Sequence, residues 1–174
     1  MEIAVAAPQM QGIVLGLLSL PICLWVAYTD LSVMKIRNEA VLALLALFAV
    51  GGFFVLPLED WAWRWTHFAV VLLAGFAFSS LRMLGAGDAK FMAAMAPFVA
   101  LPDANLVLLL MSGLLLLTFA LHRAAGALEP VRAITPGWES WKRPEEGRKT
   151  RFPMGITLAA THLAYHGLAA ANGL

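Results

Sequence analysis

The chain has 174 residues, of which 61% are apolar and 13% charged. An ordinary soluble domain is roughly 45–50% apolar and 25% charged, and a water-soluble core of this size cannot hide so much apolar surface. A net charge of +1 gives no electrostatic case for a nucleic-acid partner, and the one cysteine, Cys23, excludes both an intramolecular disulfide and a cysteine zinc cluster.

This is the composition of a polytopic membrane protein. A membrane helix takes about 20 mostly apolar residues. Six segments meet or approach that length, at about 11–31, 39–58, 61–82, 88–101, 104–121 and 152–171. The opening "MEIAVAAPQM" lacks the basic region of a signal peptide. The first span contains Pro21 and ends in "LWVAYTDLSVMKIRN". Glu39 opens the second span, where a carboxylate suits the positive end of a helix. Trp61, Trp63 and Trp65 begin the third beside Glu59 and Asp60, the pattern of an aromatic belt at a headgroup boundary. The fourth is short and interrupted by Pro97, a pattern that also suits a re-entrant hairpin. Between the fifth and sixth, His122 to Arg151 is hydrophilic and punctuated by Pro130, Pro136 and Pro144. It reads as a loop, not a soluble domain, so residues 1–174 form a single transmembrane domain.

Charge chooses between a spanning and a re-entrant fourth segment. If all six cross, Lys35, Arg37, Arg82, Lys90 and the seven basic residues of the long loop share one side, leaving Arg64 alone on the other. That bias is the positive-inside pattern, and it collapses if the fourth segment turns back. The sequence therefore predicts an all-α bundle of six transmembrane helices with both termini extracytoplasmic.

Most acidic residues are then unremarkable. Glu2, Glu59, Asp60 and Asp103 fall at outer ends or loops and read as solvated charges. Asp30 and Asp88 remain. Asp88 follows Gly85-Ala86-Gly87 and has a structural reading as a helix cap. Asp30 stands at the negative end of the first span, where a carboxylate is disfavoured, with Lys35 or Arg37 as possible partners. A carboxylate costs about 2.5–3.5 kcal/mol at the centre of a span and less near the interface, so such residues are candidates for function. The topology puts both at the same cytoplasmic depth: one helix arrives at Asp30 and another departs at Asp88. Two carboxyl groups sharing a small site do not both ionise readily, so one holds a proton while the other is charged. The charged member can take a proton from water and the protonated one can donate to a peptide carbonyl, the acid and base division of aspartic proteases. Glycines beside the pair let the chain turn and leave room for a substrate backbone.

"GAGDAK" at 85–90 resembles the G-x-G-D motif of intramembrane aspartyl proteases, in a setting similar to the type IV prepilin peptidases. "YTDLSVMKIRN" resembles that family's first catalytic segment, with Arg37 where proline is usual before Asn38. "FPMGITLAA" at 152–160 resembles its Pro-x-Gly segment at the start of the last span. The resemblance implies Asp30 and Asp88 as the catalytic pair, Gly85 and Gly87 beside the site, and Pro153 and Gly155 shaping it. It implies cleavage after a short basic leader, on the cytoplasmic side of a bacterial inner membrane, in a pilin-like precursor whose long apolar helix follows. One cysteine and an immediate first span make the chain similar to the short form associated with Flp-type (tight-adherence) pili. Methyl transfer, associated with the longer form, is not expected.

Neither a metal nor another cofactor is needed, and the expected partners are the precursor and membrane lipid. A small proton-coupled transporter and a non-catalytic pilus-assembly scaffold are the competing readings, since membrane carboxylates also serve proton relays. Lys90 points to another face of its helix than Asp88 and serves either lipid phosphate or the site. His162 and His166 stand one turn apart without the carboxylate a metalloprotease helix would add, and read as interhelical or interfacial. Ser112-Gly113 suits small-residue helix packing. "PGWESWKRPEEGRKTR", with Trp138 and Trp141, reads as a segment lying on the anionic leaflet, or as a gate that steers the substrate.

Overall fold

The computed structural model describes residues 5–141 and 152–171, and among these the chain is helical with no strand. In order, the helices are α1 (Gln9–Val33), α2 (Asn38–Val55, with a π-helical turn at Phe48–Gly52), α3 (Leu58–Ser80) and α4 (Ala86–Met95). They continue with α5 (Ala104–Ala127), a short α6 (Glu129–Ile134) and α7 (Met154–Ala171). Every apolar segment becomes helix. Among the described residues, three helices are long and apolar enough to cross a membrane: α1, α2 and Leu101–Ala127. By contrast, α3 carries Glu59, Asp60, Arg64 and His67 in its first half, α4 has only 10 residues, and α7 includes two histidines.

Two boundaries differ from the sequence expectation by more than three residues. The fourth helix stops at Met95 instead of running to Leu101, and 3-10 turns at Ala96–Phe98 and Leu101–Asp103 follow it. Pro97 and Pro102 explain this, because each lacks the N–H that an α-helix would use there. The fifth helix runs six residues beyond Leu121, to Ala127, so the hydrophilic connection starts later and contains α6. Of its basic residues, Lys142, Arg143, Arg148, Lys149 and Arg151 lie outside the described residues, as do Glu2, Pro144, Glu145 and Glu146.

The bundle is organised on α1 and α7, which pack antiparallel along most of their lengths. A seam of small residues on α1 makes this possible. A Cβ at Gly12 would stand 2.7 Å from the Ala169 carbonyl carbon, and one at Gly16 would stand 2.9 Å from the His166 Cβ. One turn further, Ser19 Oγ meets His162 Nε2 at 3.1 Å, which makes that histidine interhelical as expected. Small residues admit close backbone approach where apolar side chains gain nothing by leaving lipid for protein. Phe48, Phe91, Phe98, Leu15, Leu44 and Leu158 fill the core where α2 and α4 join this pair. Large apolar side chains such as Leu109, Leu116 and Phe76 stay exposed, as a lipid-facing surface would. Ser112 and Gly113 lie on that exposed face, and a Cβ at Gly113 would meet nothing within 4 Å among the described residues, so the pair packs against no other described helix.

Asp103 departs most from expectation. It is not a solvated loop charge but is 4% exposed. Its carboxylate accepts the Ala6 N–H at 2.8 Å, the Ala7 N–H at 3.0 Å and the Tyr165 hydroxyl at 2.8 Å. Arg64 is buried close by, donating to the Phe98 carbonyl at 3.3 Å, an oxygen that also accepts from Gln11 Nε2 at 2.8 Å. The end of the bundle remote from Asp30 is thus fastened by a polar network.

Candidate active site

Asp30 occupies the last turn of α1 and is 5% exposed. The helix ends when Met34 takes a left-handed conformation (φ 54°), from which its N–H closes on the Asp30 carbonyl at 3.0 Å. The carboxylate sits at the wrong end of its own helix but at the right end of another. Gly155, in the first turn of α7, donates its backbone N–H to Asp30 Oδ2 at 2.5 Å. Free N–H groups and the positive end of α7 thereby offset the negative end of α1. A Cβ on Gly155 would lie 2.9 Å from both Cβ and Oδ2 of Asp30, so α7 approaches this closely only with glycine there. Pro153 is buried just before it.

Asp88 is the third residue of α4, half-buried, behind the N-cap Gly85. Its carboxylate turns back to the Gly85 backbone, the reach an acidic residue makes in a capping box. An added Cβ on Gly85 would fall 2.5 Å from Asp88 Oδ2, so this glycine makes room for the carboxylate itself. Gly87 lies against Ile36, where a Cβ would meet the Ile36 Cβ at 3.4 Å. The turn that follows Asp30 therefore rests on the turn that carries Asp88.

Of the other residues singled out by sequence, Lys90 points away: its ammonium donates to Asn38 Oδ1 at 3.2 Å and ties α4 to the start of α2. The histidines of α7 lie in the other half of the bundle, and no group of three or more His, Cys, Asp or Glu suited to a metal occurs among the described residues. Trp61 and Trp65 do not form a simple belt, since both pack inward near Phe48 while Trp63 stays exposed.

Sequence reasoning missed an aromatic chain at the rim. Tyr28 meets Trp138 edge-on (6.3 Å between centroids), Trp138 stacks on Trp141 (5.9 Å), Trp141 on His122 (4.6 Å), and His122 meets Phe152 (5.8 Å). It joins a residue two positions before Asp30 to the residue that precedes Pro153. The two tryptophans within a Pro-Gly loop were the visible signal, but their partners lie too far along the chain to be read from its pattern. The arrangement supplies two carboxyl groups with different surroundings, small residues around them and an aromatic rim. A model of the type IV leader peptidase family matches residues 17–121, more than half of the chain and a range that includes both aspartates. Neither a curated protein nor a solved structure matches the chain.

Proposed function

The chain belongs to the type IV leader peptidase family, and from that premise we propose that it is a membrane-embedded aspartic endopeptidase using Asp30 and Asp88. Its substrates are pilin-like precursors of the Flp class, cleaved at the cytoplasmic face of a bacterial inner membrane. What supports this reading is that the Gly155 N–H holds Asp30 while the turn carrying Asp88 packs, through Gly87, on Ile36 of the turn that follows Asp30, so three helices bring these segments to one end of the bundle. An assembly of six spans with both termini outside agrees with that arrangement. The end of α1 and the starts of α4 and α7 would all be cytoplasmic, beside Lys35, Arg37 and Lys90.

In this reading the ionised carboxylate takes a proton from water, whose oxygen attacks the scissile carbonyl. The protonated carboxyl group gives its proton to the developing oxyanion. Collapse of the tetrahedral intermediate breaks the C–N bond, with a proton delivered to the leaving amine. The leader ends in a new carboxylate and the pilin in a new amino group. Gly155 holds Asp30 in place, while Gly85 and Gly87 keep the chain near Asp88 compact enough for a peptide to approach.

The test is co-expression with a candidate precursor. Asp30→Asn and Asp88→Asn each keep shape and capping ability but lose the acid and base chemistry. Each is expected to lower cleavage by a factor on the order of 10²–10⁴. Unchanged processing in either variant would refute the pair.

A further inference from the structure

Beyond the carboxylates, along α4, lies an apolar groove of about 450 Å³. Trp63 and Val70 of α3 form one wall and Val107 and Leu108 of α5 the other, with Met92 and Met95 of α4 in the floor. Two helices lead into it from the candidate site. Asp88, Met92 and Met95 stand at i, i+4 and i+7, a single stripe of α4. On α7, Leu158 follows Gly155 by one turn and also lines the groove. At the site end, α3 and α4 close together at Gly75, where a Cβ would stand 3.0 Å from the Ala89 Cβ. The groove therefore opens one turn past Asp88, about 6 Å along the axis at Met92 and about 10 Å at Met95.

We propose that this groove seats the first turns of the precursor's apolar helix, immediately beyond the scissile bond. The inference rests on the leader-peptidase reading and adds to it the subsite that receives the apolar segment. Two observations favour a peptide helix over lipid. The groove begins one turn beyond the candidate site on two helices, past Asp88 on α4 at Met92 and past Gly155 on α7 at Leu158. Methionines 92, 95 and 111 line it, and flexible thioethers adapt to varied apolar side chains.

The full chain in phospholipid vesicles provides the test. A photoreactive benzoylphenylalanine is placed at Val70, Leu108 or Leu109 in the Asp88→Asn background. Val70 and Leu108 are 65% and 54% exposed wall residues, and Leu109 is a neighbouring exposed residue outside the groove. The probe is a peptide with a short basic leader, a glycine and about 20 apolar residues. Capture of its apolar segment at positions 70 and 108 but not 109 is expected. Capture of phospholipid alone, or equal capture at 109, overturns the proposal. This readout needs no turnover, so it separates failure of the groove from failure of the peptidase reading, which the unaltered chain's cleavage of the precursor decides. In the active protein, Leu108→Trp should raise KM for the full precursor about tenfold with kcat kept. It should leave a peptide truncated after the junction unaffected, and equal loss on both peptides overturns the subsite.

Discussion

Asp30 illustrates how little a carboxylate's position along its own helix decides. At the end of α1 it faces the carbonyl end of a helix dipole, yet the Gly155 N–H and the start of α7 supply the opposite field. A hydrogen bond to a charged group contributes about 1.5–3 kcal/mol. Gly155→Ala inserts a Cβ into the 2.9 Å approach and should displace α7 from Asp30. Precursor cleavage should fall at least tenfold, read as kcat/KM, while the helical circular dichroism is retained. The pair also predicts a bell-shaped pH profile for kcat/KM. Activity falls at low pH as the second carboxylate takes up a proton, and at high pH as the shared proton leaves. An unchanged rate across both limbs would exclude a one-proton pair. Both aspartates stood out in the sequence because six alternating spans, if all cross, would put them at one depth. The Gly155 bond was not legible, since resemblance marks that segment while its partner lies 125 residues away.

At the scale of elements, the α1–α7 seam sets the geometry. Gly16→Leu would drive a side chain into His166 and should cost about 1–3 kcal/mol, visible as a lower Tm in detergent. The other end is held by Asp103, and Asp103→Ala removes the acceptor of two backbone N–H groups and the Tyr165 hydroxyl. A loss of about 1–3 kcal/mol is expected, with faster hydrogen exchange at Ala6 and Ala7. The charge pattern of the chain mistook this residue for a solvated one. An aspartate between two prolines and a helix looks like a surface turn, and its three partners come from distant parts of the sequence. The short α4 was half legible: Pro97 announced the break, but hydropathy carried the segment on to Leu101.

For the whole molecule, the proposal divides the bundle into a fastened outer end and a cytoplasmic end built around two carboxylates. A reporter inserted between Gly137 and Trp138 should read as cytoplasmic, and an external signal would reverse the orientation. Six apolar segments and their order were legible, because hydropathy is local. Which helices touch was not, because in lipid the contacts depend on small residues such as Gly12 and Gly16 instead of apolar stripes. The bond between Asp30 and Gly155 also sets a clock. One partner emerges early in synthesis and the other only with the last helix, so a nascent chain lacks this bond, and the proposed site with it, until α7 has docked along α1. The bundle carries its own delay, and a chain interrupted before that helix should sit in the membrane inert.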